Sequence, residues 1–217
     1  MIERSCWLNR NALRAAIVFA ALFAVDAFLV GTGATAALDL NMKALAASYG
    51  SDAFTKAAGI ATDLGTAPLL LGVAVLAGLL AWRAGLGGQA ILPVLPLIGT
   101  WLTDPLLKSI FLRQRPTTQP WPPGFFGNDQ YSFPSGHAMN SMGLYLLLIC
   151  WAWSYAPGGW RYPLALLALL IPIVVGLSRI ALGVHWTSDV VGGWFAGAAV
   201  ASVVVLVWET VRSRRAS

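Results

Sequence analysis

Charge is scarce in this sequence. Asp, Glu, Lys and Arg make up 11% of its 217 residues, where a soluble domain carries about 25%. A larger core could not absorb that shortfall, so much of the surface must face lipid. Histidine and cysteine are scarcer still, at two residues each. Cys6 precedes the first apolar run, Cys150 lies inside a later one, and no Cys-x-x-Cys is present. Such spacing gives no disulfide framework and no structural zinc. The net charge is +5, but no basic stretch is interleaved with aromatics to follow a polynucleotide, which argues against a nucleic-acid partner. The sequence also lacks a compact carboxylate set for a metal ion, an internal repeat and a low-complexity tract.

What the sequence has is long apolar runs. Hydrophobic residues reach 58% and the mean hydropathy is +0.70. A spanning helix needs about 20 largely apolar residues. Six segments meet or approach that, at 12–32, 64–82, 89–108, 138–156, 162–180 and 187–208. Each is too long for a strand, and backbone in lipid must bond to itself as helix. The expected fold is therefore all-α, a six-transmembrane-helix bundle forming one domain over residues 1–217.

Orientation follows from the placement of Lys and Arg. With six spans, Arg4, Arg10, Arg14, Arg83, Arg161, Arg212, Arg214 and Arg215 fall on one side, which puts both termini in the cytoplasm. The ends of the chain fit, weakly, a bacterial inner membrane. Arg4 to Arg14, an apolar run and Ala34-Thr35-Ala36 also fit a secretory leader. Asp26 inside the run, and its length, favour a retained span. The other side carries Lys43, Lys56, Lys108, Arg113, Arg115 and Arg179, too many for a translocated face without a functional reason.

Two outer loops are long. Residues 33–63 are expected to form a short helix lying at the interface. Residues 109–136 hold Pro116, Pro120, Pro122, Pro123 and Pro134, which prevent a continuous helix. Their aromatics Trp121, Phe125, Phe126, Tyr131 and Phe133 suit the headgroup level. The acids Asp39, Asp52, Asp63 and Asp129 read as solvated loop residues, Asp26 as lying near the outer interface, and Asp104 as a partner of Lys108. Trp186 reads as packing or an interfacial anchor, not a catalyst. Gly192, Gly193 and Gly197 read as places of close helix contact.

Both histidines lie near the outer ends of spans. His185 is four residues ahead of Asp189, and on a helix i and i+4 share a face. Asp189 can then bond one imidazole nitrogen, fix the tautomer and leave the other nitrogen free to attack. Lys108 and Arg115, seven apart, share a face if the helix continues between them, and Arg179 ends the fifth span. Cations near the bilayer are costly and usually functional, and Arg and Lys suit a phosphate dianion. Ser135 and Gly136 add a hydroxyl and an open backbone N–H at a helix start, a position that attracts anions.

Three motifs are complete and in order: Lys108-Ser-Ile-Phe-Leu-Arg-Gln-Arg115-Pro116, Pro134-Ser135-Gly136-His137, and Ser178-Arg179-Ile-Ala-Leu-Gly-Val-His185-Trp-Thr-Ser-Asp189. With them the chain resembles the type 2 phosphatidic acid phosphatase (PAP2) superfamily, over about residues 60–205. The resemblance implies His185 as nucleophile forming a phosphohistidine and Asp189 as its orienting partner. It implies His137 as the acid and then base, and Lys108, Arg115 and Arg179 as the phosphate clamp with Ser135 and Gly136 assisting. No metal and no cofactor is expected. The implied activity is a phosphatase acting on a membrane lipid phosphate or diphosphate, such as undecaprenyl diphosphate or phosphatidylglycerophosphate, at the outer, extracytoplasmic leaflet. Alternatives are a lipid phosphotransferase, which gives the phosphoryl group to an acceptor other than water, and an anion transporter. A vanadium haloperoxidase shares the anion pocket but is soluble.

Overall fold

The computed structural model describes residues 7–117 and 130–216, with side chains from Asn11 to Arg214. Arg4, Cys6, Pro120, Trp121, Pro122, Pro123, Phe125, Phe126 and Asp129 lie outside the described residues, as do the side chains of Arg10 and Arg215. Among the described residues, eight α-helices follow one another: α1 Trp7–Gly31, α2 Ala36–Ser48, α3 Asp52–Asp63, α4 Ala67–Arg83, α5 Val94–Phe111, α6 Gly136–Tyr155, α7 Arg161–Ala181 and α8 Thr187–Ala216. Among the described residues there is no strand, only an isolated bridge between Gln114 and Tyr131.

Among the described residues, four helices are long and apolar enough to cross a membrane: Asn11–Gly31, Gly87–Phe111, Gly158–Ala181 and Thr187–Arg214. A fifth crossing is available if α3 and α4, bent by 45° at their junction, count as one. The protein is thus a multi-pass, all-α membrane protein. Each of the six expected spans coincides with a helix, but two fall short alone. α4 has 17 residues, and α6 carries Asn140, Ser141 and Gly143. α6 can be less apolar because it packs against α5, α7 and α8 and meets mainly protein.

The pattern of burial is that of a bundle in lipid. Large apolar side chains such as Ile17, Phe28, Leu80, Leu102, Leu106, Leu166 and Leu167 point outward on α1, α4, α5 and α7. The interior is built where α6 meets α8 through small residues. A Cβ on Gly193 would stand 2.7 Å from the Ser135 carbonyl oxygen, and one on Gly197 would overlap that of Met139. These contacts bear out the close-packing role read for both glycines. Gly192 instead gives room to Phe133 and Asp26.

The bundle has two distinct ends. At one, the start of the α5 span meets the ends of α6 and α8, with Tyr155 Oη donating to Gln89 Oε1 at 2.7 Å and Gly88 against Trp208. At the other, Ala138, Ile180 and Val190 pack with Met42 and Trp194. All the candidate site residues sit at this second end.

Several expectations change here. Residues 33–63 form two helices rather than one, α2 and α3, separated at Ser51, whose hydroxyl accepts the Phe54 N–H and caps α3. Phe133 is not at a headgroup surface. It is fully buried, stacked on Phe23 at 5.7 Å and edge-on to Phe111 at 4.8 Å. Asp26, read as lying near the outer interface, is buried within the protein there, packed against Gly192 near the start of α8. Cys150 is disulfide-bonded, against the expectation of no pairing.

Candidate active site

Helix α5 delivers Lys108 in its last turn, buried, with its ammonium donating to Asp104 Oδ2 at 2.8 Å. The pairing of Asp104 with Lys108 is as the sequence indicated. The helix does not continue to Arg115. It ends at Phe111, with Leu112 in the left-handed region at φ 49°. Beyond it the chain runs extended as a strap fastened from three sides. Ser132 N–H donates to the Arg113 carbonyl at 2.8 Å, Trp186 Nε1 to that of Gln114 at 2.9 Å, and Lys43 Nζ to that of Pro116 at 2.8 Å.

This corrects the expected route of Arg115 into the site. A shared helical face with Lys108 plays no part. On extended backbone, i and i+2 point the same way, so Arg113 and Arg115 both face the His185–Asp189 pair. Arg115 Nη1 donates to the Val184 carbonyl at 2.9 Å and faces His185 Nε2 at 2.9 Å. Arg113 Nη1 reaches Asp189 Oδ1 at 2.6 Å.

His185 lies between α7 and α8, held by its N–H to the Arg179 carbonyl at 3.3 Å. Helix α8 starts at Thr187, so His185 and Asp189 do not share a helical face as expected. Asp189 instead reaches back over the helix start. Its Oδ2 accepts the Trp186 N–H at 2.8 Å and faces His185 Nδ1 at 3.4 Å, the acidic half of a capping box. The tautomer follows from the partners. Arginine has only donors, so Nε2 turns a lone pair to Arg115 and the proton sits on Nδ1, toward Asp189. His185 is buried, and that burial, then the charges of Arg115, Arg179 and Lys108 and the neighbouring His137, hold its imidazole well below the ordinary pKa of 6.5.

The remaining parts converge from α6 and α7. Ser135 is the N-cap of α6, yet its side chain makes no capping bond, and its buried Oγ has no hydrogen-bond partner. Its N–H donates to the Asp189 carbonyl at 2.9 Å, which joins the start of α6 to the start of α8. A Cβ on Gly136 would stand 3.1 Å from the Asp104 carboxylate, so glycine lets that acid approach. His137 opens α6, half-buried. Gly65, at the α3–α4 junction, lies against its ring, and a Cβ there would stand 3.1 Å from His137 Cδ2 and 2.5 Å from Val175. Arg179 is buried, with Nη1 donating to Thr62 Oγ1 on α3 at 2.8 Å and Nε without a partner.

All eight residues singled out in the sequence therefore stand at one end of the bundle: Lys108, Arg115, Ser135, Gly136, His137, Arg179, His185 and Asp189. A buried hydroxyl and a buried guanidinium nitrogen without partners stand at a helix start among Lys108, Arg115 and Arg179, donors of the kind that suit an anion with several oxygens. Several residues of this end escape the sequence reading, among them Gly65, Thr62, Arg113 and Asp39. Arg113 passed as one outer cation among six, and Asp39 as solvated. Asp39 is 2% exposed and ion-paired to Arg113 at 2.7 Å. Trp186 does serve as packing, with Lys43 and Arg113 over its ring at 5.5 and 5.7 Å.

The family model of the PAP2 superfamily matches residues 89–213, the stretch that carries all eight. The chain belongs to the PAP2 superfamily. Phosphatidylglycerophosphatase B of Bacillus subtilis is 33% identical over 141 residues, which are 63% of this chain and 66% of that protein. An undecaprenyl-diphosphatase of Sulfolobus acidocaldarius is 33% identical over 84 residues, 37% of this chain and 35% of its own length. The chain thus spans between about a third and two thirds of these two relatives. The crystal structure of a transmembrane PAP2-type phosphatidylglycerolphosphate phosphatase from Bacillus subtilis superimposes with a TM-score of 0.79 at 25% identity, covering 91% of this PAP2 chain and 97% of that one.

Proposed function

We propose that this PAP2 protein is a lipid phosphatase that removes a phosphate or terminal phosphoryl group through a phosphohistidine on His185. The observation that carries the reading is the polarisation of His185, with Asp189 at Nδ1 and Nε2 aimed into the cationic site beside Arg115. A bound phosphate draws Arg115, Lys108 and Arg179 to its oxygens, with the Ser135 hydroxyl and the first N–H groups of α6, and Arg115 gives up Nε2. The Nε2 lone pair attacks phosphorus and the bond to the lipid-side oxygen breaks. His137 gives that oxygen a proton. His137 then takes a proton from water, whose oxygen attacks phosphorus as the P–N bond breaks. Phosphoryl transfer asks chiefly for charge stabilisation, and the three cations supply what a metal ion does elsewhere.

A lipid substrate is supported by an apolar cleft of about 400 Å3 between α2, α3 and α7, lined by Leu45, Ala58, Ala61, Leu177 and Ser178 among others. Ala61 and Ser178 are the chain neighbours of Thr62 and Arg179, whose hydrogen bond borders the site. The chain has six spans in this reading, and Arg83, Arg161, Arg212 and Arg214 at the opposite end put both termini in the cytoplasm. The site then opens to the outer leaflet, in a bacterial case that of the inner membrane. The names of the relatives make phosphatidylglycerophosphate and undecaprenyl diphosphate the first candidates.

Purified protein in detergent should release phosphate from at least one of undecaprenyl diphosphate, undecaprenyl phosphate, phosphatidylglycerophosphate, phosphatidic acid and lipid A, with EDTA leaving the rate intact. Strict dependence on Mg²⁺ would reject the mechanism, and no release from any of them the function. A second lipid added as acceptor separates hydrolysis from transfer.

The depressed proton affinity of His185 sets the pH dependence. Its Nε2 lone pair stays available as pH falls through 6.5, the ordinary value. Since kcat/KM reports groups of the free enzyme, its acid limb, corrected for ionisation of the substrate, should lie below pH 6.5. An inflection at that ordinary value would show an imidazole that solvent and charge do not perturb.

A further inference from the structure

Beside the site lies a network of which the mechanism above uses only Asp189. Two buried carboxylates, Asp39 at 2% exposure and Asp189 at 0%, flank one guanidinium. Arg113 Nη2 donates to Asp39 Oδ2 at 2.7 Å, and its Nη1 to Asp189 Oδ1 at 2.6 Å and to Ser188 Oγ at 2.8 Å. Asp39 also accepts the Ser188 N–H on Oδ1 at 3.0 Å and the Ser188 hydroxyl on Oδ2 at 2.7 Å. Ser188 is in the first turn of α8, so an acid on α2 caps the helix that begins beside the nucleophile.

We propose that Asp39, acting through Arg113, is a positioning residue for His185: it shares the guanidinium with Asp189 and so fixes which oxygen Asp189 turns to the imidazole. The proposal rests on the phosphatase reading. A buried carboxylate is costly unless paired and hydrogen-bonded. Arginine's fork can serve two acids at once, which a lysine's single ammonium does less well. With Oδ1 of Asp189 taken by Arg113, Oδ2 is left for the Trp186 N–H and His185 Nδ1. Without Asp39, Arg113 belongs to Asp189 alone, and the pull of that carboxylate on the Nδ1 proton weakens. The charges facing Asp189 are Arg113 from the strap, Asp39 from α2, Asp26 from α1 and His185 itself. Removing the cation and removing the anion should therefore act in opposite directions on the His185–Asp189 pair.

The test compares Asp39→Asn, Arg113→Gln and Arg113→Lys with the parent, as full-length protein in detergent. In the two charge-removing variants kcat should fall by about 10- to 100-fold, as when a partner that orients a metal-bound histidine is removed, while KM moves by less than about twofold. The acid limb of kcat should move to lower pH in Asp39→Asn and to higher pH in Arg113→Gln, and Arg113→Lys should restore the limb but only part of kcat. General damage to the fold would not give opposed shifts. A second readout does not need turnover. The sequence has two histidines, so [15N]histidine labelling gives two imidazoles, told apart with His137→Gln. His185 should show a protonated Nδ1 in the parent, a mixture of tautomers in Asp39→Asn, and in Arg113→Gln an Nδ1 that stays protonated with its signal shifted toward a stronger hydrogen bond. Unchanged His185 signals in both variants, or limbs that shift together, would overturn the positioning role. A parent protein that releases no phosphate would reject the phosphatase reading, and the imidazole signals would still decide the role of Asp39.

Discussion

Replacing His185 with Ala should lower kcat by about 10⁴-fold or more, the scale on which removal of a nucleophile acts when the other catalytic groups depend on it. The protein should still be made, inserted and folded. His185 sits in a connection between α7 and α8, anchored by its backbone N–H to the Arg179 carbonyl, and that bond does not need the side chain. Arg115 keeps its bond to the Val184 carbonyl when the imidazole is gone. The cations therefore remain, and inorganic phosphate should still bind to the variant. Retained binding with lost turnover separates a nucleophile from a residue that only shapes the pocket. It also separates an enzyme from an anion transporter, which needs the cations but has no use for an Asp-oriented imidazole. Full phosphate release by His185→Ala would reject the assignment.

Much of this site could be read from the sequence because its chemistry is carried by scarce residue types. In a chain with two histidines and 11% charged residues, each ionisable group near an apolar run stands out. The helices were legible for a related reason, since lipid leaves the backbone no alternative to helix. What was not legible depends on contacts between distant parts of the chain. Arg115 could be assigned to the phosphate site by its motif, but its route there could not. Helical phase ends at Leu112, and the strap is held by Ser132, Trp186 and Lys43. Asp39 looks solvated because nothing near it in sequence is a partner. Its partners Arg113 and Ser188 are 74 and 149 positions away. Gly65 had no sequence signal at all, and its meaning is the ring of His137 lying against it. α6 was read as a span of the same kind as the others, whereas its polar residues fit a helix enclosed by its neighbours.

His137→Gln should give the second large effect and a different one in kind. If His137 donates the proton to the leaving oxygen and later takes one from water, its loss should cost about 10²- to 10⁴-fold in turnover, the usual range for general acid–base catalysis. The two half-reactions depend on it unequally. A diphosphate expels a lipid monophosphate, and an aryl phosphate expels a phenolate, both of which leave with little help from an acid. Water attacking the phosphohistidine still needs a base. With such substrates the variant should form the covalent species and then stall, so labelled phosphate should accumulate on the protein. The bond should be labile to acid and stable to alkali, as a P–N bond is. The position of His137 suits this division of labour. It is partly exposed in the first turn of α6, while His185 is buried with Asp189 behind it. Label should be absent from His185→Ala and from the double variant. Wild-type turnover in His137→Gln would remove it from the proton transfers, and turnover lost without trapped label from any of these substrates would place its role before the attack rather than after it.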